Sequence, residues 1–561
     1  MKFKQYSKIL IFLGITLSLE ITASNSTKTP NDYDSNLLND FTNQSFFFPR
    51  PIYDSVGFEQ ASWHNIIHKK QKNGFGLQIA GIYAQNFDNL FNPAYFLFDF
   101  KNQLTISAGI PSKFTPLTAT SNTQSGISPI TTTTTSSSSS QYVVNNGQIG
   151  QINVPSANRD VLGQWVGVTK SQNLHLTLNP QQQQGCIFLE ISQDVKRILN
   201  NPLFESWFIN FSMPITWIKN NIGVSGDQEA VEAFSQRAFK YVKMSPGDMT
   251  SVGISQATVS LGTRYMSKDD IRIMTTSGVI IPLSAQPCGG SLFEPIQGFN
   301  SHFGFDFLVH LQFPIIQKEH NPSRILFFLE LHNNFLARNH QLRTYDIKNK
   351  PFSRYMQLYD SFTNELVPAM NALTIRSRVE PYNIVNFATG FRFAHHDCYG
   401  EIGYELWAHG NERVTPEPVV THTIGWWDDL RYGIAFINSD GVLAQIDPST
   451  GEVQPINTNE QLGQTASQST INFVAPPDGS YNCCPSPSFT PKNKYLIRND
   501  LNIYTPASRS TITHRGFVSV GLGDTGKKIN HFVNFGAFIE APQNNAALNL
   551  WGGWLKGGFT F

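Results

Sequence analysis

Three groups of residues carry the letters of known chemistries, and each fails on its surroundings. Gly521-Leu522-Gly523-Asp524-Thr525-Gly526 spells GxGxxG, a pattern that holds a dinucleotide only where a helix follows and turns its N-terminal amides toward the pyrophosphate. Lys527-Lys528 and a second alternating stretch follow instead, so the run reads as a strand end entering a glycine turn. His395-His396-Asp397-Cys398 groups four metal-capable side chains. Neighbours on an extended chain point to opposite sides, and no second pair at ligand spacing supports them; the group reads as a hairpin turn. Serines and histidines are plentiful, yet no GxSxG stands between a strand and a helix to present a nucleophile. The reading is of a non-enzyme, with no catalytic residue, metal ligand or cofactor assigned.

A different set of charged residues stands out by spacing. Arg264, Arg272, Asp306, Arg324, Glu330, Arg392, Glu401, Glu405, Arg498, Asp500, Glu540 and Lys556 each occupy the polar side of a stretch whose alternate positions are apolar. One or two charges per stretch, set among Gly, Ser, Asn and Gln, fit a wet enclosed lumen, where arginines on one wall facing carboxylates on another act as a solute filter. The competing expectation is that such residues pair across a narrow lumen and fill it.

The elements that must position them follow from the alternation itself. From His302 to Ile315 the odd positions are Phe303, Phe305, Phe307, Val309, Leu311, Phe313 and Ile315, while the even ones include His302, Gly304, Asp306, His310 and Gln312. Trp207 to Trp217 behaves alike, with aromatics at both ends of its apolar side. This period of two is that of a strand whose faces see different environments. It recurs in Phe75 to Gln85, Ala257 to Tyr265, Ile325 to Leu331, Ala388 to Ala394, Gly400 to Ala408, Tyr495 to Tyr504, Phe517 to Gly523, Val533 to Glu540 and Trp551 to Phe561. Less regular stretches are Gln103 to Gly109, Asn173 to Leu178, Cys186 to Ser192, Ile271 to Pro282 and Leu373 to Arg378. The expected fold class is all-β, a transmembrane antiparallel β-barrel of roughly 14 to 16 strands with long loops and a short helical insertion.

Composition agrees. Only 15% of the 561 residues are charged and 12% are aromatic, including 43 Phe, so the chain presents something other than a charged soluble surface. Past the N-terminus no run approaches the roughly 18 apolar residues of a membrane-crossing helix. In lipid, strands of about ten residues must close without edges to satisfy their backbones. Forty-one basic and forty-one acidic residues leave a formal net charge of +0, and no nucleic-acid partner is expected.

The last strand alternates Trp551, Gly553, Leu555, Gly557, Phe559 and Phe561, and the sequence stops on Phe561. This resembles Gram-negative outer-membrane β-barrel proteins of the porin-like class. The resemblance implies that Phe559 and Phe561 form the signal read by the barrel-assembly machinery, that the lipid bilayer is a partner, and that the location is the bacterial outer membrane. It also implies periplasmic termini, with long loops on the opposite side.

The expected organisation has three parts. Residues 1–23 read as a signal peptide, with Lys2, Lys4 and Lys8 before the apolar Ile9 to Leu19. Residues 24–73 form a polar leader, or a short plug entering the barrel, with the aromatic knot Phe46-Phe47-Phe48. Residues 74–561 form the barrel, with a low-complexity loop at 111–160 around Thr131 to Ser140, an amphipathic helix within Asp227 to Val242, and a long insertion at 412–492. Counting back from Phe561 puts that insertion on the periplasmic side, unless it holds a further strand near Thr421 to Phe436. Five cysteines, Cys186, Cys288, Cys398, Cys483 and Cys484, define no disulfide framework.

The expected function is passive diffusion of small hydrophilic solutes through the charged lumen. A surface adhesion barrel without transport is one alternative. A carrier for hydrophobic ligands, using inward Phe188, Phe208, Phe328, Phe532 and Phe538, is another.

Overall fold

Alternating side chains produce twelve strands that close on themselves. The structure is a computed structural model. It describes residues 43–54, 74–87, 95–97, 103–106, 160–168 except 162, 173–267, 271–317, 323–348, 351–417 except 361, 364 and 382, 431–434, 496–524 and 529–561, with the backbone of short strands at 115–116, 140–145 and 148–153. The expected signal peptide, Thr131 to Ser139, Cys483, Cys484 and most of the insertion at 412–492 lie outside the described residues.

The barrel strands are β1 (Phe75–Asn86), β2 (Gln181–Asp194), β3 (Trp207–Asn221) and β4, which runs through Met249–Ile254 and Gln256–Met266 with a break at Ser255. They continue as β5 (Arg272–Pro282), β6 (Gly304–Gln317), β7 (Ser323–Leu336) and β8 (Ile384–His395). The last four are β9 (Cys398–His409), β10 (Thr511–Asp524), β11 (Asn530–Pro542) and β12 (Leu550–Thr560). Each pairs antiparallel with its sequence neighbours, and β1 closes the cylinder by pairing with both β2 and β12, where Gly76 faces Ser192 and Thr560. Phe561 completes the seam: its N–H donates to the Phe75 carbonyl at 2.9 Å, and the Phe75 N–H returns a bond at 3.1 Å.

The two faces sort as the alternation requires. On β6, Phe305 is 56% exposed while His310 and Gln312 are buried. Ile79, Ile187, Ile215, Leu261, Phe391, Ile402, Val520, Phe535 and Leu555 are exposed around the same outer wall, a continuous apolar surface far larger than the few hundred Å² that water-soluble monomers present. Among the described residues no helix is long and apolar enough to cross a membrane.

The strand number is twelve where the periodicity led to 14 to 16. Four of the alternating stretches serve elsewhere. Gln103–Ile106 pairs with Leu174–Thr177 in a small sheet, and Thr374–Glu380 joins Asn339–Thr344 and Arg413–Pro416 in another. Tyr495 to Tyr504 contains a 3-10 turn at Arg498–Asp500 and a two-residue strand against Asp346–Ile347. A short strand covering a hydrophobic core alternates just as a lipid-facing one does, so period alone does not separate them; length does, since these run four to seven residues against the roughly ten of a spanning strand.

Removing Tyr495 to Tyr504 from the barrel also corrects the handedness of the count. The connection holding 412–492 runs from His409 to Thr511, both at the end opposite Phe561, so it belongs with the long connections; no spanning strand is needed near Thr421 to Phe436, where the described strand Tyr432–Ile434 pairs with Gln357–Asp360 outside the barrel. At that end the connections fold into a cap whose buried residues, including Leu104, Trp165, Leu176, Phe234, Tyr355, Leu358 and Met370, form one core with inward residues of the wall such as Phe328 and Trp554. The expected helix is present as α1 (Gln228–Ser235), shorter than the 227–242 region and with Ala230, Ala233 and Phe234 buried in that core.

Candidate functional site

The inner wall is built first from ring-on-glycine seats. The inward aromatics Trp554, Phe517, Phe538, Phe328, Phe208 and Tyr399 lie over Gly536, Gly403, Gly552, Gly390, Gly262 and Gly521 of adjacent strands. A Cβ at Gly536 would stand 2.2 Å from the Trp554 ring, and one at Gly403 would stand 2.3 Å from Phe517. Glycine at those positions makes room for a ring; the wet-lumen reading of these residues is thereby revised. Gly521 of the GxGxxG run is one such seat, under Tyr399. The rings of Phe188, Phe208, Phe328, Phe532 and Phe538 do point inward and are buried.

The charged residues come next. Arg264 pairs with Asp194, Arg392 with Glu401 at 3.0 Å, and Glu330 with His310 at 2.8 Å. Asp306 meets His332 at 2.6 Å. Glu405 and Glu540 flank Arg515, with which they share a register row across β9, β10 and β11. Lys556, Arg272 and Arg324 also sit on inward positions. Arg498 and Asp500 do not: they lie in the 3-10 turn of the cap, where Asp500 Oδ2 accepts from the Ile497 N–H at 3.0 Å. Arg264, Arg272, Arg324, Arg392 and Lys556 lie near the strand ends closest to Phe561, whereas Asp306, Glu405 and Glu540 lie toward the cap. Each end also holds the opposite sign, Asp194 and Glu401 beside Arg264 and Arg392, and Arg515 between Glu405 and Glu540, so the charges pair at their own level.

Residues 43–54 occupy the cap-side half of this lumen. Asn43 to Phe48 are held by the cap: Asn43 donates to Asp346 Oδ2 at 2.8 Å, Arg354 Nη1 donates to the Asn43 carbonyl at 3.1 Å, and Arg343 stacks 3.2 Å over the Phe46 ring. Phe46 and Phe48 pack with Ile280, Ile296, Phe299, Ile384 and Trp407. Residues 43–54 are the described part of the 24–73 segment.

Arg50 is the anchor. Its guanidinium reaches Glu405, stands 3.1 Å from Glu540 Oε2, and donates to the Asp54 carbonyl at 2.8 Å. Burial works against this cation, but Glu405, Glu540 and Asp54 outweigh it and hold its pKa above the ordinary value. Two arginines and two glutamates thus form a closed square in which Arg50 is the only member from outside the wall. Asp54 accepts from Trp407 Nε1 at 2.7 Å, and Tyr53 donates to Gln256 at 3.0 Å. Burial pushes the Asp54 carboxyl up, opposed by His332 and Arg50.

Sequence reasoning missed Arg50, Asp54, His332 and Arg515 as site residues. Arg515 falls in β10 before the stretch recognised from Phe517, although Thr511, Thr513 and Arg515 continue its inward parity. Arg50 and Asp54 lie in a segment without periodicity, so only their partners reveal them.

No family model and no curated protein matches the chain. Among solved structures it is similar to an outer membrane channel from Pseudomonas putida F1, at a TM-score of 0.32 and 8% identity, over 87% of this chain and 96% of that one. A likeness of that size carries no functional argument; the barrel and its contents must supply it.

Proposed function

We propose that this chain is an outer-membrane channel barrel held shut by its own N-terminal segment, and that small hydrophilic solutes pass by diffusion when residues 43–54 leave the lumen. The observation that carries the reading is Arg50, buried between Glu405 and Glu540 inside a cylinder whose outer wall is apolar. An apolar exterior around a paired-charge interior suits lipid outside and polar traffic inside. Phe559 and Phe561 would serve the assembly machinery, and residues 1–23 would direct export. The hydrophobic-carrier reading is weakened by the ring seats, which commit the inward phenylalanines to the wall.

Planar-bilayer recording tests the proposal. The intact protein should be silent or briefly open, and Arg50→Glu, which sets three carboxylates together, should give long-lived openings. A large steady conductance in the intact protein would contradict the closed state. Silence in both would leave a surface role, which the folded cap favours.

A further inference from the structure

A cavity of about 70 Å³ lies between Tyr53 and Asp54 of the inserted segment and the inner faces of β2 to β7. That is room for several water-sized molecules. Three carboxylates, Asp54, Glu190 and Asp306, line it, with His332 and neither lysine nor arginine. Two acceptor atoms there have no hydrogen-bond partner, Asp54 Oδ1 and Asn210 Oδ1. Asp54 is 3% exposed. His332 Nδ1 stands 3.8 Å from its Oδ1, outside hydrogen-bond reach, while His332 Nε2 is committed to Asp306. Asn334 Nδ2 is likewise unpartnered, and turning that amide over makes the position a further acceptor.

A buried carboxylate oxygen left without a donor costs far more than a satisfied one. The group that would satisfy this site brings positive charge and several N–H donors together. The acceptors come from separate elements, the inserted segment, β3 and β7. A planar cation with donors on several edges reaches them better than a compact ammonium.

We propose that the cavity binds one small cation of the guanidinium class, its N–H groups donating to Asp54 and Asn210 and its charge balanced by Asp306 and Glu190. The site exists with residues 43–54 in place, so binding is expected whether or not the barrel conducts, and a silent bilayer leaves it standing.

The test is isothermal titration of the refolded full chain in detergent micelles with methylguanidinium, against methylammonium and tetramethylammonium. Saturable binding of methylguanidinium is expected, at least tenfold weaker in Asp306→Asn and abolished in Ser260→Leu, which fills the cavity while keeping every carboxylate. Native heat-modifiable migration verifies that each variant is folded, and should Asp306→Asn not fold, Ser260→Leu decides. Absence of saturable binding, affinity unchanged by Ser260→Leu, or equal binding of either ammonium would overturn the proposal.

Discussion

The barrel wall and the cap are built from the same residue types with opposite polarity. In the wall, Leu555 and Phe535 face outward at 62% and 61% exposure while Glu405, Arg515 and Glu540 are buried within. In the cap, Leu358, Met370 and Phe234 are buried together, as in any water-soluble domain. The difference teaches what organises each region: apolar burial alone organises the cap, whereas backbone closure, inward rings seated on glycines and internal ion pairs organise the wall, whose other apolar residues face outward. Residues 43–54 cross from one regime to the other, with Phe47 in the cap core and Arg50 in the charged lumen.

The comparison can be broken most forcefully at Arg50. Arg50→Ala strands two buried glutamates on Arg515 and is expected to cost about 3–5 kcal/mol, read as a fall in the unfolding midpoint of the refolded protein. Arg50→Met with Glu540→Gln should recover much of it. A neutral result for Arg50→Ala would deny that the square is formed.

Next in size is the polarity contrast itself. Leu358→Ala in the cap should cost about 2–5 kcal/mol, whereas Leu555→Ala, on the exposed outer face, should change the midpoint little. Leu555→Arg, mid-strand, should cost about 2–4 kcal/mol, and Phe305→Arg, second residue of its strand, about 0–1. Equal costs at Leu358 and Leu555 on truncation to Ala would mean both face a protein core.

Gly536→Ala forces the Trp554 ring from its seat and should cost about 1–3 kcal/mol; combining it with Trp554→Ala should cost less than the two single changes added. A fully additive pair would show that the ring is not seated there.

The smallest effect is a pH dependence. Asp54 has its pKa raised in the folded chain by burial, against His332 and Arg50. Its contribution is fully present below the ordinary aspartate range and is lost as pH rises through the raised value. Seating of the segment should therefore loosen on going from acid to neutral pH, and Asp54→Asn should flatten that slope in a stability titration.

Much of the wall was legible in sequence. Phe303 to Ile315 carries its two faces in its spelling, and the ten of the twelve expected lumen charges that lie on barrel strands needed only parity; Arg498 and Asp500 failed because the stretch around them alternates without being a spanning strand. What stayed hidden depends on register or on distance along the chain. Gly536 is a seat only because β12 sets Trp554 opposite it, and Arg50 meets Glu405 and Glu540 across hundreds of residues with no local pattern to mark the meeting.

The most direct test replaces Tyr53 by the photoreactive p-benzoylphenylalanine in the full chain, irradiates it in proteoliposomes and maps the adduct by mass spectrometry. The account predicts adducts on inward-facing neighbours, around Gln256 and Phe299, whose contacts with Tyr53 are 3.0 Å and, ring to ring, 6.4 Å. Adducts to lipid, or between two chains, would place the segment outside the lumen and contradict it.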